Sequence, residues 1–85
     1  MTHPDKQLTH QALIKRLKRA QGHLLHVISM IEEEQTCVDI AVQLTAVERA
    51  ITAAKRVLIH DHIDQCLTHN TSTALEDMKA LTKLL

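Results

Sequence analysis

The chain contains no Phe, Tyr or Trp, and it has a single Gly (Gly22) and a single Pro (Pro4). Any core must therefore be built from Leu, Ile, Val, Ala and Met. That set suits helix-on-helix packing better than a β-sandwich. One Gly and one Pro leave little of the turn chemistry that β-hairpins need. The expected fold class is all-α. At 85 residues there is room for one domain, residues 1–85, and a chain this short buries only a modest fraction of its surface when it folds alone. Oligomerisation is the expected remedy.

The opening residues MTHPDKQLTHQ lack the apolar stretch of a signal peptide, and no apolar run approaches the roughly 18 residues of a membrane span. A soluble, cytoplasmic protein is expected, with no membrane partner. In a reducing compartment the two cysteines, Cys37 and Cys66, read as ligands or redox groups rather than as a structural disulfide.

From about Lys6 to Glu33, Leu13, Leu17, Leu24, Ile28 and Ile31 keep helical spacing, with Ala20 and Val27 widening the stripe. Pro4 is tolerated near a helix start. Gly22 weakens a helix by about 1 kcal/mol relative to Ala, so close packing against a neighbouring helix is expected there. Glu34-Gln35-Thr36 breaks the pattern, and Thr36 with Asp39 resembles a capping box. A second helix is predicted from Cys37 to about His69. Its Ile40, Leu44, Val47, Ile51, Ala54 and Leu58 alternate spacings of three and four, the seam of a helix pair or bundle. After a short loop, Thr73 and Glu76 form a second capping signature before a short helix carrying Leu75, Met78, Leu81 and Leu85. Two long antiparallel helices and a short C-terminal one make a protomer with a half-exposed apolar face. Two such protomers would pair into a four-helix bundle.

Continued by four and then eight residues beyond Leu58, the seam reaches His62 and Cys66; three residues before Ile40 it reaches Cys37. His62 and Cys66, four apart, share a helix face and are able to grip one ion together. Cys37 cannot join them within its own helix, because 25 residues at about 1.5 Å each span roughly 38 Å. An antiparallel helix of a second subunit would bring its own Cys37 alongside. The first turn of the second helix, where Cys37 falls, presents the positive end of the helix dipole to an anionic ligand. Two sulfurs and one imidazole are a soft, low-coordinate set that suits Cu(I). Zn(II) would want a fourth ligand, and Ni(II) a square-planar arrangement with more nitrogen. His69, His3 and Asp5 are the candidates for additional ligands, whereas His10, His23, His26 and His60 read as solvated or structural.

Formal net charge is zero, but its distribution is uneven. Lys6, Lys15, Arg16, Lys18 and Arg19 face only Asp5 in residues 1–31; Glu32, Glu33, Glu34, Asp39 and Glu48 follow, and then Arg49, Lys55 and Arg56. Local basic patches matter more to a polyanion than the total. No helix-turn-helix head is recognisable. No nucleophile motif, phosphate loop or evident pocket for a small-molecule substrate points to an enzyme.

Read together, RLKRAQGHLLHVISMIEEEQTCVDIAVQLTAVERAITAAKRVLIHDHIDQCL, residues 16–67, resembles the CsoR/RcnR family of metal-sensing transcriptional repressors. The resemblance runs through the R-x-K-x-x-x-G-H element, the C-V-D start of the second helix and its R-V-x-x-H-x-H-x-x-x-C end. It implies a dimeric antiparallel four-helix bundle, a homotetramer of two dimers and binding of operator DNA through basic helical faces. It further implies metal ligands at Cys37, His62 and Cys66, the pattern of the copper-sensing branch. Formaldehyde- and persulfide-sensing branches differ at the second or third ligand.

The basic DNA-contact positions of the family correspond to Arg16, Lys55 and Arg56, with Lys15, Arg19 and Arg49 nearby. Copper-sensing relatives often carry a tyrosine before the first cysteine, here Thr36, and a third-helix glutamate beside the histidine, here Glu76 or Asp77. Without the tyrosine hydroxyl, coupling between metal and DNA takes another route or serves another ion. The expected function is a repressor that binds operator DNA without metal and is released by Cu(I). The alternatives are a Ni(II)- or Co(II)-responsive repressor of the same family, a metal-buffering protein with no DNA role, and a structural helical oligomer with incidental cysteines.

Overall fold

The computed structural model describes the backbone of residues 4–69 and 74–85, and the side-chain surroundings of residues 10–62 and 75–85. Three helices account for the regular structure among the described residues: α1 (Pro4–Glu32), α2 (Cys37–His69) and α3 (Ala74–Thr82). The expected helices are present, and the two long ones end within two residues of the bounds that the spacing predicts. None of the described helices is long and apolar enough to cross a membrane.

Pro4 takes the first position of α1, where its missing N–H removes nothing the helix uses. At the other end, Gln35 N–H donates to the Met30 carbonyl at 3.0 Å and Glu34 N–H to that of Ile31 at 3.1 Å. This is a Schellman closure, which needs a left-handed residue just past the helix. Glu34 supplies it at φ 57°. A side chain there costs about 1 kcal/mol or more, because its Cβ crowds the following carbonyl. Thr36 then caps α2: its Oγ1 accepts the Asp39 N–H at 3.3 Å, the forward bond of the expected capping box. The chain thus reverses in four residues, Glu33 to Thr36. The capping signature at Thr73 lies outside the described residues. Glu76 and Asp77 stand in the first turn of α3 and Lys79 in its last, the arrangement the helix dipole favours.

The chain falls into two compact units, residues 1–54 and 55–85, with the division inside α2. In the first unit α1 and the beginning of α2 run antiparallel. His23 of α1 meets Gln43, while Arg16, Arg19 and Ala20, earlier in α1, lie beside Ala50 and Ala53, later in α2. Leu13, Ala20 and Val27 recur every seven residues and are buried with Met30; on α2, Val47 and Ala54 are buried. Burying a Val contributes about 1.5–3 kcal/mol, and the two alanines let the helices approach closely. Among the described residues of the second unit, Ile59 is the most deeply buried. Met78 and Leu81 of α3 are half-buried, while Leu75 and Leu85 of the expected apolar face are exposed.

The structure departs from the sequence pattern in two places. Of the predicted seam, Leu13, Ala20 and Val27 on α1 and Val47 and Ala54 on α2 are buried as expected, whereas Leu17, Leu24, Ile28 and Ile31 on α1 and Leu44, Ile51 and Leu58 on α2 remain between 39% and 55% exposed. Each long helix carries two apolar stripes about a sixth of a turn apart, and among the described residues of α1 and the start of α2 the chain's own packing covers the one marked by Ala20, Val27, Val47 and Ala54. Gly22, expected at a close helix contact, has nothing within 4 Å of where a Cβ would stand. In the single chain it is a surface glycine.

Glu34→Gly should relieve the left-handed strain and raise the thermal midpoint by about 4–8 °C, the shift that about 1 kcal/mol produces in a domain of this size. Calorimetry or circular dichroism melting checks it. An unchanged or lowered midpoint would show that Glu34 closes α1 without strain.

Candidate functional site

Cys37 is the first residue of α2, directly after the Thr36 cap. Its thiol is free and exposed, beside backbone N–H groups that have no partner within the helix. Thr36, which the sequence places next to the first ligand candidate, has its hydroxyl engaged with the Asp39 amide. Its demonstrated role is to start the helix that carries Cys37.

His62 stands seven residues before His69, the last residue of α2, and it faces α3. Its Nε2 is 3.9 Å from Asp77 Oδ2, with both side chains about half-exposed. Of the two third-helix carboxylates, Glu76 and Asp77, the second is therefore the one placed against the histidine. At this distance the pair is an electrostatic approach rather than a hydrogen bond, on the side of the ring that leaves Nδ1 available to a ligand. Cys66 follows one turn later on α2 and His69 closes the helix; the side chains of both, and those of His3 and Asp5, lie outside the described residues. Among the described residues no three His, Cys, Asp or Glu side chains come together as a metal cluster. Cys37 and His62 do share a helical track: Cys37, Leu44, Ile51 and Leu58 succeed one another every seven residues, and His62 is four further on.

The basic residues form a shaped feature on another face of the hairpin. Arg16, Arg19, Ala20 and His23 of α1 and Ala50 and Ala53 of α2 line an open notch of about 140 Å³. A water occupies about 30 Å³ of liquid, so the notch has room for a group of several oxygens. The small Ala50 and Ala53 side chains create the space, and two guanidiniums supply donors. His23, expected from the sequence to be solvated or structural, is half-buried with Nε2 2.7 Å from Gln43 Oε1. With Oε1 accepting, Nε2 carries the proton. The available signal was the spacing of Arg16, Arg19 and His23, a single helix face. Arg49 is exposed one residue before Ala50, and Arg56, also exposed, follows it by seven on the same side of α2. Lys15 and Lys55 are exposed as well, away from the notch lining.

A family model described as metal-sensitive transcriptional repressor matches residues 9–85. The copper-sensing transcriptional repressor CsoR of Mycobacterium ulcerans is 41% identical over 58 residues, covering 68% of this chain and 50% of that protein. The CsoR of Mycobacterium tuberculosis is 38% identical over 75 residues, covering 86% and 60% respectively. For Bacillus subtilis CsoR the figures are 32% over 73 residues, 86% and 71%. The chain thus spans about half to three fifths of the length of these mycobacterial relatives. Among solved structures, the nickel-responsive transcriptional regulator InrS superposes with a TM-score of 0.78 at 29% identity, covering 86% of this chain and 88% of that one. The helical order, the start and end of α2 and the family match agree, and the chain belongs to the metal-sensitive transcriptional repressor family.

Proposed function

We propose that this protein is a cytoplasmic, homo-oligomeric repressor that holds operator DNA in its metal-free form and lets go when Cu(I) is bound between subunits. The observation that carries the reading is the placement of Cys37 and His62 at opposite ends of one uncovered α2 stripe. Such a stripe is completed by a second copy, and in an antiparallel pair the start of one α2 meets the end of the other. Cys37 of one subunit, with His62 and Cys66 of its partner, would then hold the ion. The donor set fits: a free exposed thiol, an imidazole backed by Asp77 and a second cysteine one turn along suit a soft, low-coordinate cation.

The DNA-holding groups in this reading are Arg16 and Arg19 at the notch, with Lys15, Arg49 and Arg56 around them. They engage phosphates rather than base edges, so affinity is strongly salt-dependent. Release requires only that the metal-bound arrangement have lower affinity for DNA, and DNA must then weaken metal binding by the same factor. Closing the site draws the ends of two second helices together and shifts the basic faces they carry. Assembly to a homotetramer, as in the family, would place several such faces on one operator.

A second reading is favoured by the likeness to InrS, a nickel-responsive regulator. Here Ni(II) or Co(II) would recruit His69, His3 or Asp5 as additional ligands, and Zn(II) would need one of them. Visible absorption separates these readings, since Cu(I) has no d–d bands whereas Ni(II) and Co(II) do. A metal buffer without a DNA role is separated by a gel shift with DNA upstream of the protein's own gene at low salt.

Cys37→Ala should keep operator affinity within about threefold and lose release by Cu(I); fluorescence anisotropy with and without the ion measures both, and normal release in the variant sinks the reading. Asp77→Asn should weaken metal affinity by about 10–100-fold, the usual effect of removing a partner of a liganding histidine, with metal-free DNA affinity unchanged. Arg16→Ala should weaken all DNA sequences alike and lower the slope of log affinity against log salt by about one. An unchanged slope removes Arg16 from the interface.

A further inference from the structure

The uncovered stripe of α2 is apolar or occupied by ligand candidates at six of its eight positions. Taken at spacings of four and three from Cys37, it reads Cys37, Ala41, Leu44, Glu48, Ile51, Lys55, Leu58 and His62. The two exceptions carry opposite charges, and all but the thiol and the alanine are sizeable side chains left exposed. Neither charge is answered on its own helix. Seven residues separate Glu48 from Lys55, about 10.5 Å of rise. No opposite charge lies three or four residues from either, the only spacings at which helix side chains meet. Charges within a helix seam are costly unless paired, and where they are paired they set orientation and register.

We infer that Glu48 pairs with Lys55 of a second copy of this chain, and that this reciprocal ion pair selects the antiparallel orientation of the two α2 helices. The inference rests on the intersubunit reading of the metal site and deepens it. Let Cys37 stand level with position 64 of the partner, midway between His62 and Cys66. Eleven residues inward from each, Glu48 stands level with position 53. Lys55 is two residues away, about 3 Å of rise, well within the reach of a lysine. Twofold symmetry makes the contact twice. A parallel pairing in register would instead set Glu48 against Glu48 and Lys55 against Lys55. The orientation that joins the two cysteine-bearing ends is therefore the one the charges favour, and the opposite orientation is penalised.

A consequence concerns Lys55, which the family resemblance groups with Arg56 on the DNA face. One residue turns a helix by about 100°. Arg56 follows Arg49 by seven and Ala53 by three, on the side of the basic notch, while Lys55 follows Ile51 by four and precedes Leu58 by three, on the apolar stripe. Lys55 is an interface residue and reaches DNA binding only through dimerisation.

The test is charge reversal in the full-length chain: Glu48→Lys, Lys55→Glu and the double variant, with self-association measured by sedimentation at low salt and operator affinity by anisotropy. Each single reversal should weaken self-association about tenfold or more and lower operator affinity with it. The double variant should return both to within about threefold of the starting protein. An equimolar mixture of the two single variants should form the mixed dimer, seen by native mass spectrometry. Circular dichroism confirms that each variant is helical, and the double variant keeps the test valid if a single one unfolds. Neutral single reversals, or a double variant no better than the singles, overturn the pairing; DNA affinity lost in Lys55→Glu and not recovered in the double overturns its assignment to the interface. If the starting protein dimerises and binds Cu(I) through Cys37 while the reversals do nothing, only this inference falls. A starting protein that stays monomeric at all concentrations removes both it and the intersubunit metal site.

Discussion

The rest of the structure depends on the double apolar striping of its two long helices. An isolated helical hairpin can cover one stripe on each helix, and here the covered one is built around Ala20, Val27, Val47 and Ala54. The other, from Leu17 to Ile31 on α1 and from Leu44 to Leu58 on α2, leaves seven large aliphatic side chains about half in water. Completing the burial of each would contribute about 1 kcal/mol, and a contiguous apolar face of this kind on a small protein marks an association surface. The α2 stripe carries Cys37 at one end and His62 near the other. Under the proposed function, association and ligand assembly would be one event.

Helix existence and ends were legible because their determinants are local. The Thr36 cap, the break at Glu34-Gln35 and the absence of aromatic and turn residues act over a few positions, and the observed α2 begins at the residue the cap dictates. Which stripe faces inward was not legible. Leu17 and Leu24 satisfy helical spacing as well as Leu13 and Ala20 do, and hydrophobicity ranks the larger residues first. The covered stripe carries the small residues Ala20 and Ala54, and which residues face inward is a property of the pair of helices rather than of either one. For the same reason Gly22 suggested a contact the single chain does not make. At the site, His62 was legible from its spacing to Cys66, but the choice of Asp77 over Glu76 required the placement of α3. His23 reads from sequence as solvated or structural, and its partner Gln43, twenty residues away, becomes visible only once the two helices are placed.

Under the proposed function, the hairpin would separate two tasks by face. Arg16, Arg19 and His23 line a notch on one side of the α1–α2 contact, and the uncovered aliphatic residues occupy the other. Phosphate contacts need exposed, hydrated cations, whereas a helix seam tolerates charge only where it is paired; placing unpaired cations on both faces would set each against the other. Net charge near zero is no obstacle to this arrangement, because the acidic residues Glu32, Glu33, Glu34 and Asp39 are gathered at the turn between the helices, away from the notch.

The link between the two faces has a material basis in the first unit. Cys37 opens α2, and Gln43 lies six residues further along the same rigid helix. Its side chain holds His23, which lines the notch with Arg16 and Arg19. A helix moves as a body over a distance of under two turns, so a force applied at Cys37 displaces Gln43 as well. If the His23 bond carries α1 with it, Arg16 and Arg19 move as a set relative to a bound anion; if it breaks, His23 is freed from Gln43. Small displacements matter there, because charged hydrogen bonds to an anion weaken steeply with distance and angle. Thr36, standing where relatives of the copper-sensing branch often have a tyrosine, is committed to the cap and is not needed for this route. Under the proposed function, coupling of the thiol to the notch would run through this stiff helix, from a cysteine at its first residue to an amide side chain less than two turns later.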